Sequence, residues 1–89
     1  MIVEEVRIAN RLGLHARAAS LLVHVASRFR SRVRIGNGSE EVDGKSIIGL
    51  LTLAAVCGAM LTLRCEGEDE REAATALREF IEARFGEAS

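Results

Sequence analysis

His15 and His24 are the only imidazoles in the chain, and only one of them stands among residues that suggest chemistry. His15 belongs to the run Gly13-Leu14-His15-Ala16-Arg17, just ahead of a segment with helical periodicity. The first amides of a helix lack intrahelical partners, and the helix dipole adds partial positive charge there. An imidazole at that point, with Arg17 two residues on, adjoins a ready cradle for an anion. If the ring attacked a phosphoryl donor, the new phosphate would sit where those amides and Arg17 can receive it. Both influences disfavour an imidazolium, so a neutral, nucleophilic ring is expected. Taken bare, the pattern His-x-Arg fits a capping histidine as well. His24, three residues after Leu21, reads as a surface or boundary histidine.

A second feature is Lys45-Ser46, which opens a short apolar stretch. Ser46 is a good N-cap for a helix over 47–53. Ile47, Ile48, Leu50 and Leu51 crowd two helical turns that can bury only one side. Some of them should therefore be exposed and form a docking surface. Gly49 inside that helix costs about 1 kcal/mol relative to alanine, which suggests close approach by a partner or another helix. Cys57 and Cys65 have no ligand spacing with either histidine, so no metal or cofactor is expected and both read as reduced thiols in the core or at its margin.

The elements that must position these residues follow from periodicity. Residues 2–8 alternate, with Val6 and Ile8 on one face and Glu5 and Arg7 on the other. Leu14, Ala18, Leu21, Leu22, Val25 and Phe29 recur at helical spacing, predicting a helix over about 16–27. Val33 and Ile35 alternate with Arg32 and Arg34; Gly36-Asn37-Gly38 then turns the chain into a short strand near 40–42. Leu61, Leu63 and Cys65 mark a fourth strand, preceded by Gly58 and ended by Gly67. Glu68 or Asp69 should cap a last helix, with Ala73, Leu77, Phe80 and Ile81 as its buried stripe to about Phe85. The order is β-α-β-β-α-β-α. It predicts an α+β fold: a four-stranded antiparallel sheet with three helices on one face and solvent on the other.

At 89 residues the chain has room for one small domain, residues 1–89. Hydrophobic residues at 48% with charged residues at 28% exclude disorder. The apolar run from Ile47 to Met60 is too short to span a bilayer, and Glu4 and Glu5 break any leader pattern, so a cytoplasmic protein is expected. The net charge of −1, with three Phe and neither Tyr nor Trp, argues against nucleic-acid binding. Through residue 65 there are nine basic and five acidic residues, and from Glu66 eight acidic residues face three arginines. A basic body with an acidic C-terminal part suggests a face for a negatively charged partner, or simply solvated faces. No Gly-rich phosphate loop and no room for a nucleotide pocket leave little basis for a standalone enzyme.

Three segments, Gly13 to Arg17, Gly44-Lys45-Ser46-Ile47-Ile48-Gly49-Leu50-Leu51, and Glu66-Gly67-Glu68-Asp69-Glu70, together resemble the HPr phosphocarriers of the bacterial phosphoenolpyruvate-dependent phosphotransferase system. Their order and spacing cover almost the whole chain. The resemblance implies an open-faced β-sandwich. It implies that Nδ1 of His15 accepts a phosphoryl group from enzyme I and passes it to EIIA-type domains, with Arg17 and the backbone of Ala16 and Ala18 holding the phosphate. Ser46 matches the family's regulatory serine, the target of HPr kinase/phosphorylase where that enzyme exists. Ser20, His24, Ile47, Ile48 and Leu51 would form the shared docking rim of a monomer that neither inserts in membranes nor binds nucleic acid. Ala18 stands where the family usually has proline, and Ala54 where glycine is common. A nitrogen-branch carrier of the same chemistry, and a Ser46-dependent regulatory module that carries no phosphate, are the rival readings.

Overall fold

A computed structural model describes residues 1–89. The elements are β1 (Ile2–Arg7), α1 (Ala16–Ala26), β2 (Arg32–Gly36), β3 (Glu41–Asp43), α2 (Ile47–Thr52), β4 (Met60–Glu66) and α3 (Glu70–Glu82), closed by a 3-10 turn at Arg84–Gly86. The four strands form one antiparallel sheet in the order β1-β4-β2-β3. Alternation decides its faces. Val6, Val33, Ile35, Leu61, Leu63 and Cys65 are buried under the helices, while Arg7, Arg32 and Arg64 point to solvent. With helices over one side only, the architecture is the expected open-faced sandwich.

On the solvent face Arg34 lies directly opposite Arg64 in the β2–β4 register. Like charges so placed repel. One carboxylate answers both: Glu41 meets Arg34 Nε at 3.3 Å and Arg64 Nε at 2.8 Å.

Helix α1 buries Ala18, Ala19, Leu22, Val25 and Ala26. Leu21, expected in that stripe, is instead 38% exposed. The helix packs chiefly on α2 and α3, and the face it buries runs through Ala19, Leu22 and Ala26, which leaves Leu21 at the edge. Ser46 caps α2 as expected, its Oγ accepting from the Gly49 amide at 3.0 Å. The reason for Gly49 is a strand: a Cβ there would stand 3.2 Å from the Val42 Cβ on β3.

Asp69 is the N-cap residue of α3, its carbonyl accepting from the Ala73 amide at 2.9 Å, but its side chain makes no cap bond. Its carboxylate reaches across instead, accepting from the amides of Arg30 and Ser31, each at 2.9 Å, and from the Ser31 hydroxyl. These bonds hold it ionised below the ordinary carboxylate range, the Ser31 hydroxyl bond contributing most. Cys65 is buried as expected, and burial chiefly, then the carboxylate of Glu70, pushes its thiol up. Cys57 is exposed and belongs neither to the core nor its margin. No helix is long and apolar enough to cross a membrane.

Candidate functional site

Gly13 fixes where His15 begins its helix. Its φ is +69°, and a Cβ there would stand 2.6 Å from the Ala55 carbonyl oxygen. The next amide, Leu14, donates to that same carbonyl at 2.9 Å, and the Leu14 side chain is buried. The loop is thus clamped to residues 55 and 56, and His15 emerges as the N-cap residue of α1 with extended backbone, φ −77° and ψ 176°. Its ring makes no cap bond. The first bonded amide of the helix is Ala19, which donates to the His15 carbonyl at 2.8 Å. The amides of Ala16, Arg17 and Ala18 have no intramolecular partner, as a helix start requires. The Arg17 side chain is exposed and in no ion pair, so its five donors are open to an arriving anion.

The ring is held from the other end of the chain. His15 Nε2 lies 2.5 Å from Oε2 of Glu87. Oε1 of the same carboxylate accepts from Asn10 Nδ2 at 2.9 Å, and that amide donates again to the Gly13 carbonyl at 2.8 Å. Asn10 is fully buried and its Oδ1 has no partner. A buried orphan of this kind costs about 1–3 kcal/mol, so the amide keeps its place for its donors. The Asn10 bond first, then the one from His15, hold the Glu87 carboxyl below its ordinary value, with the charges of His15 and Arg17 adding to them. An ionised carboxylate only accepts hydrogen bonds. Nε2 must therefore carry a proton, and in the neutral ring the lone pair is on Nδ1.

The tail reaches this position by an irregular path. Regular helix ends at Glu82, short of the expected Phe85, and Arg84 and Phe85 adopt φ of 61° and 54°. Phe85 is nevertheless buried, meeting Phe80 edge to face at 5.7 Å. It anchors the chain two residues before Glu87.

The remaining expected residues fall around α1 and α2, which pack on one another. Ala16 opens the helix and is exposed, whereas the Ala18 side chain is fully buried, leaving only its amide to meet a ligand. Ser20 and His24 are exposed on α1. Ile47, Ile48 and Leu51 are 41%, 77% and 39% exposed on α2, and Leu50 alone of that group is buried. Leu12 and Val56, absent from the sequence-based set, are 65% and 66% exposed on the two loops that Gly13 joins. Ser46 caps the opposite end of α2 from those loops, about 9 Å away along the helix axis at 1.5 Å per residue.

Comparison with known proteins bears on the family and the fold. The family model described as "PTS HPr component phosphorylation site" matches residues 2–83. The phosphocarrier protein HPr of Pseudomonas aeruginosa is 52% identical over 84 residues, covering 93% of each chain. That of Cupriavidus necator is 45% identical over 87 residues, covering 98% of each. The crystal structure of an HPr from Thermoanaerobacter tengcongensis superposes with a TM-score of 0.95 at 40% identity, over 100% of both chains. A family match over residues 2–83, and relatives this similar over nearly the whole chain, show that the chain belongs to the HPr family of phosphotransferase-system phosphocarriers.

Proposed function

We propose that this phosphocarrier takes its phosphoryl group on Nδ1 of His15 from phosphoenolpyruvate-charged enzyme I and delivers it to EIIA-type domains for sugar uptake, acting as a cytoplasmic monomer. The observation that carries the reading is the division of labour on the imidazole: Nε2 is engaged by Glu87, while Nδ1 has no protein partner. The lone pair on Nδ1 forms the new N–P bond as the bond from phosphorus to the donor breaks, its electron pair leaving with the donor. The three open amides and Arg17 then face a dianion that suits them. The dipole contributes about 0.3–2 kcal/mol, a modest sum that suits a group meant to be handed on.

The exposed apolar groups Leu12, Ile47, Ile48, Leu51 and Val56, with Ser20 and His24 beside them, form the docking surface that both partners share in turn. Ser46 is the regulatory position, acted on by an HPr kinase/phosphorylase.

Incubation with phosphoenolpyruvate and enzyme I of the same organism, read by intact mass, tests the reading. An acid-labile gain of one phosphate, absent in His15→Ala, is expected. No gain from an active enzyme I would overturn it.

A further inference from the structure

The contact between the C-terminal tail and the imidazole goes beyond placing His15 at a helix start. We infer that Glu87, oriented by Asn10, is a positioning residue that fixes the rotamer and tautomer of His15 and balances the charge that phosphoryl transfer creates on its ring. The inference rests on the phosphocarrier reading above and extends it to a residue 72 positions away.

Three observations carry it. The carboxylate uses both oxygens in a directed way, Oε2 on the ring nitrogen and Oε1 on Asn10. Asn10 is buried with both amide donors spent on Glu87 and Gly13 and its oxygen orphaned, so the brace is kept at a cost. The tail is locked before it arrives, by Phe85 in the core and by the Gly86 and Glu87 amides, which donate to Ala83 at 3.1 Å and Arg84 at 2.9 Å.

The chemistry follows from proton and charge balance. When Nδ1 bonds to phosphorus and Nε2 keeps its proton, the ring becomes a cation. The Glu87 carboxylate already faces that nitrogen and pairs with the cation as it forms, the role a buried aspartate plays toward the histidine of a serine-protease triad. The same pairing keeps the ring protonated while it carries phosphate. A protonated ring is the better leaving group, so the N–P bond stays easy to break when the acceptor docks. Arg17 is the other charged group that acts on this carboxylate.

The test uses the intact chain and its Glu87→Ala and Glu87→Gln variants. In unphosphorylated wild type, proton NMR should show a far-downfield Nε2–H resonance protected from exchange, which Glu87→Ala loses and Glu87→Gln retains in weakened form. The initial rate of phosphoryl acceptance from phosphorylated enzyme I should fall about tenfold in Glu87→Ala, a typical effect of losing a group that orients an imidazole, and recover partly in Glu87→Gln. Urea unfolding confirms that the variants are folded. A Glu87→Ala protein that keeps the resonance, or accepts phosphate at the wild-type rate, overturns the inference. Should wild type itself accept no phosphate, the phosphocarrier reading fails, and the resonance still decides whether the brace exists.

Discussion

At Ala54 the backbone adopts φ 50°, in the left-handed region that a β-carbon disfavours. The side chain is exposed and contributes little to compensate. The resemblance read from the sequence implies glycine at this position, and the positive φ supplies a physical reason for one. Ala54→Gly removes a cost of about 1–2 kcal/mol and adds about 0.4–1 kcal/mol of unfolded-state entropy. A net gain of about 0.5–1 kcal/mol should appear in urea denaturation. An unchanged or lower midpoint would show that the loop relaxes around alanine. His15, Arg17 and Ser46 were legible because their signals are local: a glycine two residues before, a helix start, a cap. Glu87 was not. Its partners lie at residues 10 and 15, and its position depends on left-handed conformations at Arg84 and Phe85, which no residue type there announces.

Among the elements, the strands and helices were readable to within a few residues because one face of each is wet. What periodicity could not supply is how element ends are tied together. Asp69 holds the N-cap position expected from the sequence, but its carboxylate joins the start of α3 to the Arg30–Ser31 turn that leads into β2. Glu70 similarly turns back, its Oε1 accepting from the Gly67 amide at 3.1 Å while Oε2 meets the N-terminal amine at 3.0 Å. Backbone bonding to Gly67, then the amine, lowers the titration of Glu70, as the Ser31 and Asn10 bonds lower those of Asp69 and Glu87. All three carboxyls are depressed in the folded state. Their stabilisation is therefore complete above the ordinary values of 3.8 for Asp69 and 4.5 for the two glutamates, and is lost as pH falls through the lower folded values. The urea midpoint of the wild type should drop between pH 7 and pH 3. Asp69→Asn should start lower at pH 7 and drop less over the same interval. Parallel pH profiles for the two proteins would count against the tie.

For the whole molecule, what matters is how docking and stability are kept apart. The apolar groups left exposed on α2 sit outside the buried cluster, which Leu50 alone joins from that short helix. Ser46 lies at the boundary. Aspartate caps a helix about as well as serine and suits the positive end of the dipole, so Ser46→Asp should leave unfolding free energy within about 0.5 kcal/mol of wild type. It places a permanent negative charge beside the proposed docking surface, so KM for transfer from enzyme I should rise severalfold, more at low salt than high. Unchanged KM would remove Ser46 from that surface. The connectivity of the sheet has a different kind of consequence. Ile2 pairs with Cys65 and Arg7 with Met60, so the first strand waits for the fourth, and only the β2–β3 pairing is local. Closing such distant contacts makes folding slow relative to helical proteins of the same size. During synthesis the wait is longer still, for Phe85 and Glu87 emerge after every strand has been made. A nascent chain can show His15 to the cell early, but without its Glu87 contact, which must wait until every strand has been made.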